Sequence, residues 1–166
     1  MTQQTYVFDA ELVGFPEVRR TIAMREDLTL VDLHYALQSA FGWDDDHLYS
    51  FWLDGSFWAS ADEHYMHPYH AASVDPPGKS ACTRLSELAL AEGRRIAYEF
   101  DFEREWRVQL ALRAICAGDG SAVARCIERV GVVPPQYERI VLDRNDASAQ
   151  PTVEFRALRH DEVDAA

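Results

Sequence analysis

Lysine is nearly missing from this chain: Lys79 is the only one in 166 residues. With 16 basic residues against 28 acidic ones, the formal net charge is -12. A polyanion such as duplex DNA needs clustered cations to displace the counterions of its phosphates, and no such cluster exists here. The arginines alternate with acids instead, as in Arg94, Arg95, Glu99, Asp101, Glu103, Arg104, Glu105 and Arg107, which reads as a solvated, ion-paired face. Duplex nucleic acid is therefore not expected as a partner. Long hydrophobic runs are lacking too. No stretch approaches the roughly 20 apolar residues that span a bilayer, so no membrane partner is expected. The opening MTQQTYVFDAELVG has neither the basic nor the apolar region of a secretory signal, which predicts retention in the cytoplasm. Cysteine is sparse: Cys82, Cys116 and Cys126 are odd in number and form no CxxC. That excludes a disulfide framework and a zinc knuckle, and predicts buried, reduced thiols. Nucleophile elbows, HExxH and its inverse, phosphate-cradling glycine loops and dinucleotide fingerprints are all missing. No complete catalytic signature remains and no cofactor is expected.

What is present is a chain with 48% hydrophobic residues, too apolar for disorder and long enough for one core. Tyr6, Phe8, Ala10 and Leu12 alternate with mostly polar neighbours, and VRRTIAMR continues in extended style after Gly14-Phe15-Pro16. Thr29 stands three residues before Asp32, a capping-box start. Leu30, Leu33, Leu37, Ala40 and Phe41 then recur at helical spacing until Gly42. These residues predict the main helix, 30–41. In LYSFWLDGSFWAS the Asp54-Gly55 pair between two aromatic runs predicts a two-residue hairpin. Residues 61–83, rich in proline and histidine, read as a long loop, and TRLSELALAEG as a short helix over 84–92 that stops at Gly93. Residues 95–102 and 105–115 alternate well and should pair. Residues 123–130, ERIVLD and PTVEFRAL are further strand candidates, and 159–166 reads as a frayed tail. The expectation is a single α+β domain over 1–158, with a mostly antiparallel sheet of about six to eight strands.

The loudest chemical signal is DEHYMHPYH, where His64, His67 and His70 recur every third position. In an extended segment residues three apart are separated by about 9 Å of rise, too far for three rings to share one ion. Pro68 opposes helical geometry at His67. A solvated loop is the expectation, with a metal site at His64, His67 and His70 as the alternative if His47 or an acid joins from elsewhere. DDDH, residues 44–47, lacks the alternating spacing of a calcium loop and reads as a turn. The aromatics Phe41, Trp43, Tyr49, Phe51, Trp52, Phe57 and Trp58 crowd into one span with four aspartates and no Lys or Arg. Base stacking does not suit such a span. Alternate residues should be core, with the protruding ones forming a groove for a peptide or an apolar ligand.

FGWDDDHLYSF, residues 41–51, resembles the FGW...HL..F word of the plasmid pRi ORF-3-like family. The likeness runs up to about residue 137. It implies a small α+β fold of a kind widespread in bacteria and often found near mobile elements. A second family word, similar to DFGDxWxH, is matched in part by DFEREWRV: Asp101, Phe102 and Trp106 agree, while Glu103, Arg104 and Val108 replace the Gly, Asp and His. A third, similar to CPPEDCGG, is reduced to Pro134 and Pro135. Any polar or metal-binding chemistry that a typical member builds from those groups is absent, and the scaffold words remain.

Together these readings point to a non-catalytic binding or interaction module for a protein, a peptide or a small apolar ligand, with His47, Trp52, Trp58, Asp101 and Trp106 as ligand-binding candidates. The alternative is a metal-dependent hydrolase around the histidine loop 64–70. A nucleic-acid accessory role stands third. The charge pattern generates a first prediction: fluorescence titration against duplex DNA at about 150 mM salt detects no binding. Micromolar binding that falls steeply with added salt would contradict it.

Overall fold

The computed structural model describes residues 2–138 and the short strand at 156–157. Strands β1 (Gln4–Leu12) and β2 (Phe15–Arg25) form the opening hairpin, followed by helix α1 (Leu30–Phe41) and strand β3 (Tyr49–Trp52). Next come β4 (His64–Met66), helix α2 (Pro68–Ser73), β5 (Lys79–Ser80), β6 (Arg95–Phe100), β7 (Trp106–Ala117) and β8 (Arg125–Val130). These eight strands make one sheet in the order β5-β4-β3-β6-β7-β1-β2-β8, antiparallel except for the β4–β5 pair. The fold is α+β, as the sequence predicts. Two further short strands, β9 (Tyr137–Glu138) and β10 (Arg156–Ala157), pair with each other. Most of ERIVLD and PTVEFRAL, the domain limit at 158 and the tail 159–166 lie outside the described residues.

Helix α1 starts and stops for local reasons. Asp32 N–H donates to Thr29 Oγ1, and Thr29 N–H donates back to Asp32 Oδ2 at 2.8 Å. Gly42 takes the left-handed conformation (φ 69°) and its N–H closes onto Gln38 O. The apolar stripe Leu30, Leu33, Leu37 and Phe41 then packs on Phe8, Ile22, Tyr98, Phe100 and Leu110 of the sheet. Phe41 also stacks on Trp43 at 4.8 Å, and Trp43 in turn lies 5.4 Å from Trp106. Buried Arg20 of β2 fastens the far end of this interface. Its Nε donates to Ala40 O at 2.9 Å, its Nη1 to Arg19 O and Val130 O at 2.7 Å each, and its Nη2 to Gly131 O. One guanidinium thereby joins the helix end to strand β8. That strand carries a bulge: Glu128 faces Thr21 and Cys126 faces Ile22, leaving Ile127 extra.

Four expectations need correction. The Asp54-Gly55 turn does not close a hairpin between adjacent strands. β3 ends at Trp52, its partners are β4 and β6, and the second aromatic run folds back over the sheet. Residues 61–83 are not one long loop, because they contain β4, α2 and β5. Pro68 sits at the first turn of α2, where its missing N–H costs nothing, and His67 caps it by accepting from Tyr69 N–H at 3.1 Å. The helix expected over 84–92 shrinks to a 3₁₀ turn, Leu85–Glu87. Leu85 and Ser86 N–H groups go to Leu28 O and Glu26 O, and Ala89 turns left-handed at φ 49°. Finally, the thiols are free but not buried: Cys82 and Cys116 are exposed and Cys126 is partly so. Among the described residues no helix is long and apolar enough to cross a membrane.

Phe41 lies at the junction of α1, Trp43 and the sheet, so Phe41→Ala should lower stability by about 3–5 kcal/mol, as large truncations in cores do. Chemical denaturation measures it. An unchanged midpoint would remove Phe41 from the core.

Candidate functional site

Strand alternation sends Tyr49, Phe51, Ile96, Tyr98 and Phe100 under α1 and turns Ser50, Trp52, Ala97 and Glu99 to the opposite face. On that second face Ser50, Glu99 and Arg107 stand in one row, and His64, Trp52, Ala97 and Gln109 in the next. The β3–β4 connection, Leu53 to Glu63, lies over this end of the face. Gln109 Nε2 donates to Gly55 O at 3.1 Å, and Arg94 Nε to Leu53 O at 2.5 Å. Gly55 itself is left-handed (φ 78°), and a Cβ there would meet Arg95 Cβ at 2.9 Å.

The connection delivers Trp58 in a left-handed conformation (φ 59°) that is rare for a bulky residue. Its indole Nε1 donates to Glu99 Oε2 at 2.7 Å, while Arg107 Nε donates to Glu99 Oε1, also at 2.7 Å. Glu99 is 1% exposed. Burial raises its pKa, against the pull of Arg107 and of the Trp58 hydrogen bond. Arg107 also lies over the Phe57 ring at 5.0 Å. Trp58 nonetheless keeps 53% of its surface in solvent. Around it stand Trp52 at 4.8 Å, Phe102 at 5.3 Å edge-on and His64 at 5.9 Å. His64 stacks on Trp52 at 4.8 Å, its Nε2 is 2.8 Å from Ser50 Oγ, and burial lowers its pKa with help from His70. His70 completes the corner beside Phe102 at 6.2 Å, and its Nδ1 is buried without a hydrogen-bond partner among the described residues.

The structure thus gathers Trp52, Trp58, His64 and His70 and sets the other predicted residues elsewhere. His67 meets Tyr49 on the helix side of the sheet at 5.2 Å. His47 pairs with Asp46 at 2.6 Å and lies 3.6 Å from buried Asp101, which also accepts from Arg104 at 3.2 Å. Trp106 is fully buried against Trp43 and belongs to the core. Trp52 is 1% exposed and forms the floor under Trp58. The three histidines of 64–70 are half-buried and ring-packed, so the expected solvated loop is corrected. Among the described residues no three His, Cys, Asp or Glu side chains converge as a metal set. The charged face over 94–107 is likewise not fully solvated, since Glu99 and Asp101 are buried ion-pair partners.

A second polar cluster escaped the sequence reading. His34 of α1, 1% exposed, stacks on Tyr49 at 3.6 Å. Gln38 Nε2 donates to Tyr98 Oη at 3.0 Å, Tyr98 O–H points to His34 Nδ1 at 2.8 Å, and His34 Nε2–H points to Asp45 Oδ1 at 2.8 Å. That donor chain is complete for a neutral imidazole. Its only signal in the sequence is that His34 fills the i+4 slot of the stripe begun at Leu30.

The comparisons with known proteins identify the scaffold that carries this arrangement. A model described as plasmid pRiA4b ORF-3-like protein matches residues 4–138. The chain belongs to that family. A crystal structure of a protein of unknown function from Methanosarcina mazei Go1 superposes with a TM-score of 0.66 at 24% identity, covering 82% of this chain and 74% of that one. It shares the fold. No curated protein matches. The family words meet in space: Trp43 of FGW packs on Trp106 of DFEREWRV, and Gln136, just past the two prolines, accepts from Asp44 N–H at 2.6 Å. Asp101 is left-handed (φ 59°), and its carboxylate accepts the N–H groups of Glu103 and Arg104. These words build the β6–β7 turn and the loop 43–48 beside it.

Burial pushes the His34 pKa down to about 4, overriding the upward pull of Asp45. Below the ordinary value of 6.5 the unfolded chain takes a proton that the folded chain refuses, so stability is full above that pH and drains as pH falls toward about 4. His34 should therefore cost the protein about 2 kcal/mol between pH 7 and pH 5. Denaturation of wild type and His34→Gln at both pH values isolates this share. Equal pH losses in the two proteins would contradict a neutral buried imidazole.

Proposed function

We propose that the protein is a non-catalytic binding module of the cytoplasm that takes a peptide segment of a partner protein on the face of its sheet opposite α1, with Trp58 as anchor. The observation that carries this reading is the contrast at Trp58. Half of a large aromatic is left in water, while its backbone is held in an unfavourable conformation and its N–H is fixed by a buried carboxylate. Backbone outliers held by surrounding structure gather at functional sites, and rigid tryptophans are favoured binding anchors. From the Gly55 side, a groove of about 450 Å³ continues across β7, β1 and β2, with Arg95, Gln109, Asp9, Thr21 and Arg19 among its lining residues.

Binding suits the chemistry of this face better than catalysis. Both oxygens of Glu99 are spent on Trp58 and Arg107. The Ser50–His64 contact has the distance of an activated pair, yet Ser50 is fully buried between β4 and β6, beyond the reach of a substrate. Selection of a random phage-displayed peptide library on the immobilised protein tests the reading. Wild type should enrich related sequences, and Trp58→Ala should lose that enrichment. No enrichment, or enrichment indifferent to Trp58, would overturn the proposal.

A further inference from the structure

We infer that the side chain received by Trp58 is cationic, an arginine or lysine of a basic peptide segment; this rests on the binding reading above and names the partner's chemistry. Three observations carry it. First, the indole donates its N–H to a carboxylate at 2.7 Å, which pushes electron density into the ring. Tryptophan already offers the most attractive aromatic face to a cation. Second, the same corner contains this interaction in internal form, with the Arg107 guanidinium over Phe57 at 5.0 Å.

Third, the charge around Trp58 is left negative. The connection that carries it holds Asp54, Asp62 and Glu63, and the neighbouring turn after β6 holds Asp101, Glu103 and Glu105. Most cations of this corner are engaged: Arg94 with Glu63 and Leu53 O, Arg104 with Asp101, Arg107 with Glu99, and Lys79 with the carbonyl of Asp62; Arg95, beside Gly55, adds one positive charge that these acids outnumber. Among the described residues Asp54 uses its carboxylate on Ser56 N–H alone. A chain of net charge -12 reinforces this local excess and steers basic segments toward it. An acidic segment meets repulsion at the same place. An apolar one gains the ring but forgoes the field.

The test uses the full chain and four probes of equal length: blocked Gly-Arg-Gly-Arg-Gly, Gly-Lys-Gly-Lys-Gly, Gly-Leu-Gly-Leu-Gly and Gly-Glu-Gly-Glu-Gly. The indole N–H resonances of the protein report binding, with that of Trp58 assigned from Trp58→Phe. The Arg and Lys peptides should shift the Trp58 resonance saturably while those of buried Trp43 and Trp106 stay in place. Trp58→Ala should weaken the Arg peptide roughly five- to thirty-fold, Trp58→Phe less, and Tyr35→Ala, on the far side of the sheet, should leave it unchanged. A Trp58 response to the Leu or Glu peptide equal to that for Arg would overturn the cationic inference while leaving the binding reading intact. If no peptide moves Trp58, the inference falls, and the library selection decides the binding reading separately.

Discussion

Among the described residues a single long helix, α1 of twelve residues, is set against a sheet of eight strands, and most other features follow from that imbalance. A helix can bury only one face of a sheet. Here it covers the face bearing Phe8, Ile22, Tyr98 and Phe100, while Asp9, Arg19 and Arg113 of β1, β2 and β7 stand on the opposite, more open face. The rows on that face carry cross-strand polar pairs. Arg113 meets Asp9 at 3.2 Å, and Thr21 Oγ1 donates to Asp9 Oδ1 at 3.1 Å. Toward β3 the aromatic load exceeds what water tolerates, and the connection after β3 folds over to cover Trp52. Trp58 is the large aromatic of that cover that stays half in water.

Glu99 decides how firmly the cover sits. A carboxylate buried alone would cost several kcal/mol, and removing one partner of a buried pair is strongly destabilising. Here the charge is divided between a guanidinium on β7 and an indole on the connection. Two elements far apart in sequence are thereby bound to one oxygen pair, in a corner where Trp58, Asp101 and Glu105 all adopt positive φ. Such a carboxylate contributes less to net stability than to placement. It selects one position for the indole among the many that a surface connection of this length could offer.

What was legible in the sequence was local. Thr29, Asp32 and Gly42 define α1 because the capping groups lie within one turn of the residues they serve. The alternation of Ile96, Tyr98 and Phe100 with that of Trp106, Val108 and Leu110 yields β6 and β7 because pairing them needs only a short turn. The FGW word led to the right family, and its residues are the packing of the α1 end. The errors arose where a distant partner outweighed local chemistry. Asp54-Gly55 is a good hairpin turn, yet the following aromatic run is claimed by Glu99, 41 residues away from Trp58. Pro68 does keep His67 out of helical geometry, yet by that same restriction it starts α2 inside a segment that reads as a loop. Glu99 was invisible as a site residue, because alternation tells only that it faces away from Tyr98 and not that an indole will cover it.

The two borders of the sheet have a consequence for assembly. At one border β5 offers just two residues, Lys79 and Ser80, to any newcomer strand. At the other, β8 interrupts its ladder with the extra Ile127 and brings Arg125, Glu128 and Arg129 to the rim. Neither border is a flat, continuous template, so growth by addition of strands is blunted on both sides, a protection against fibrillar stacking. Recognition through side chains, broadside on, is the mode of association that this geometry leaves open.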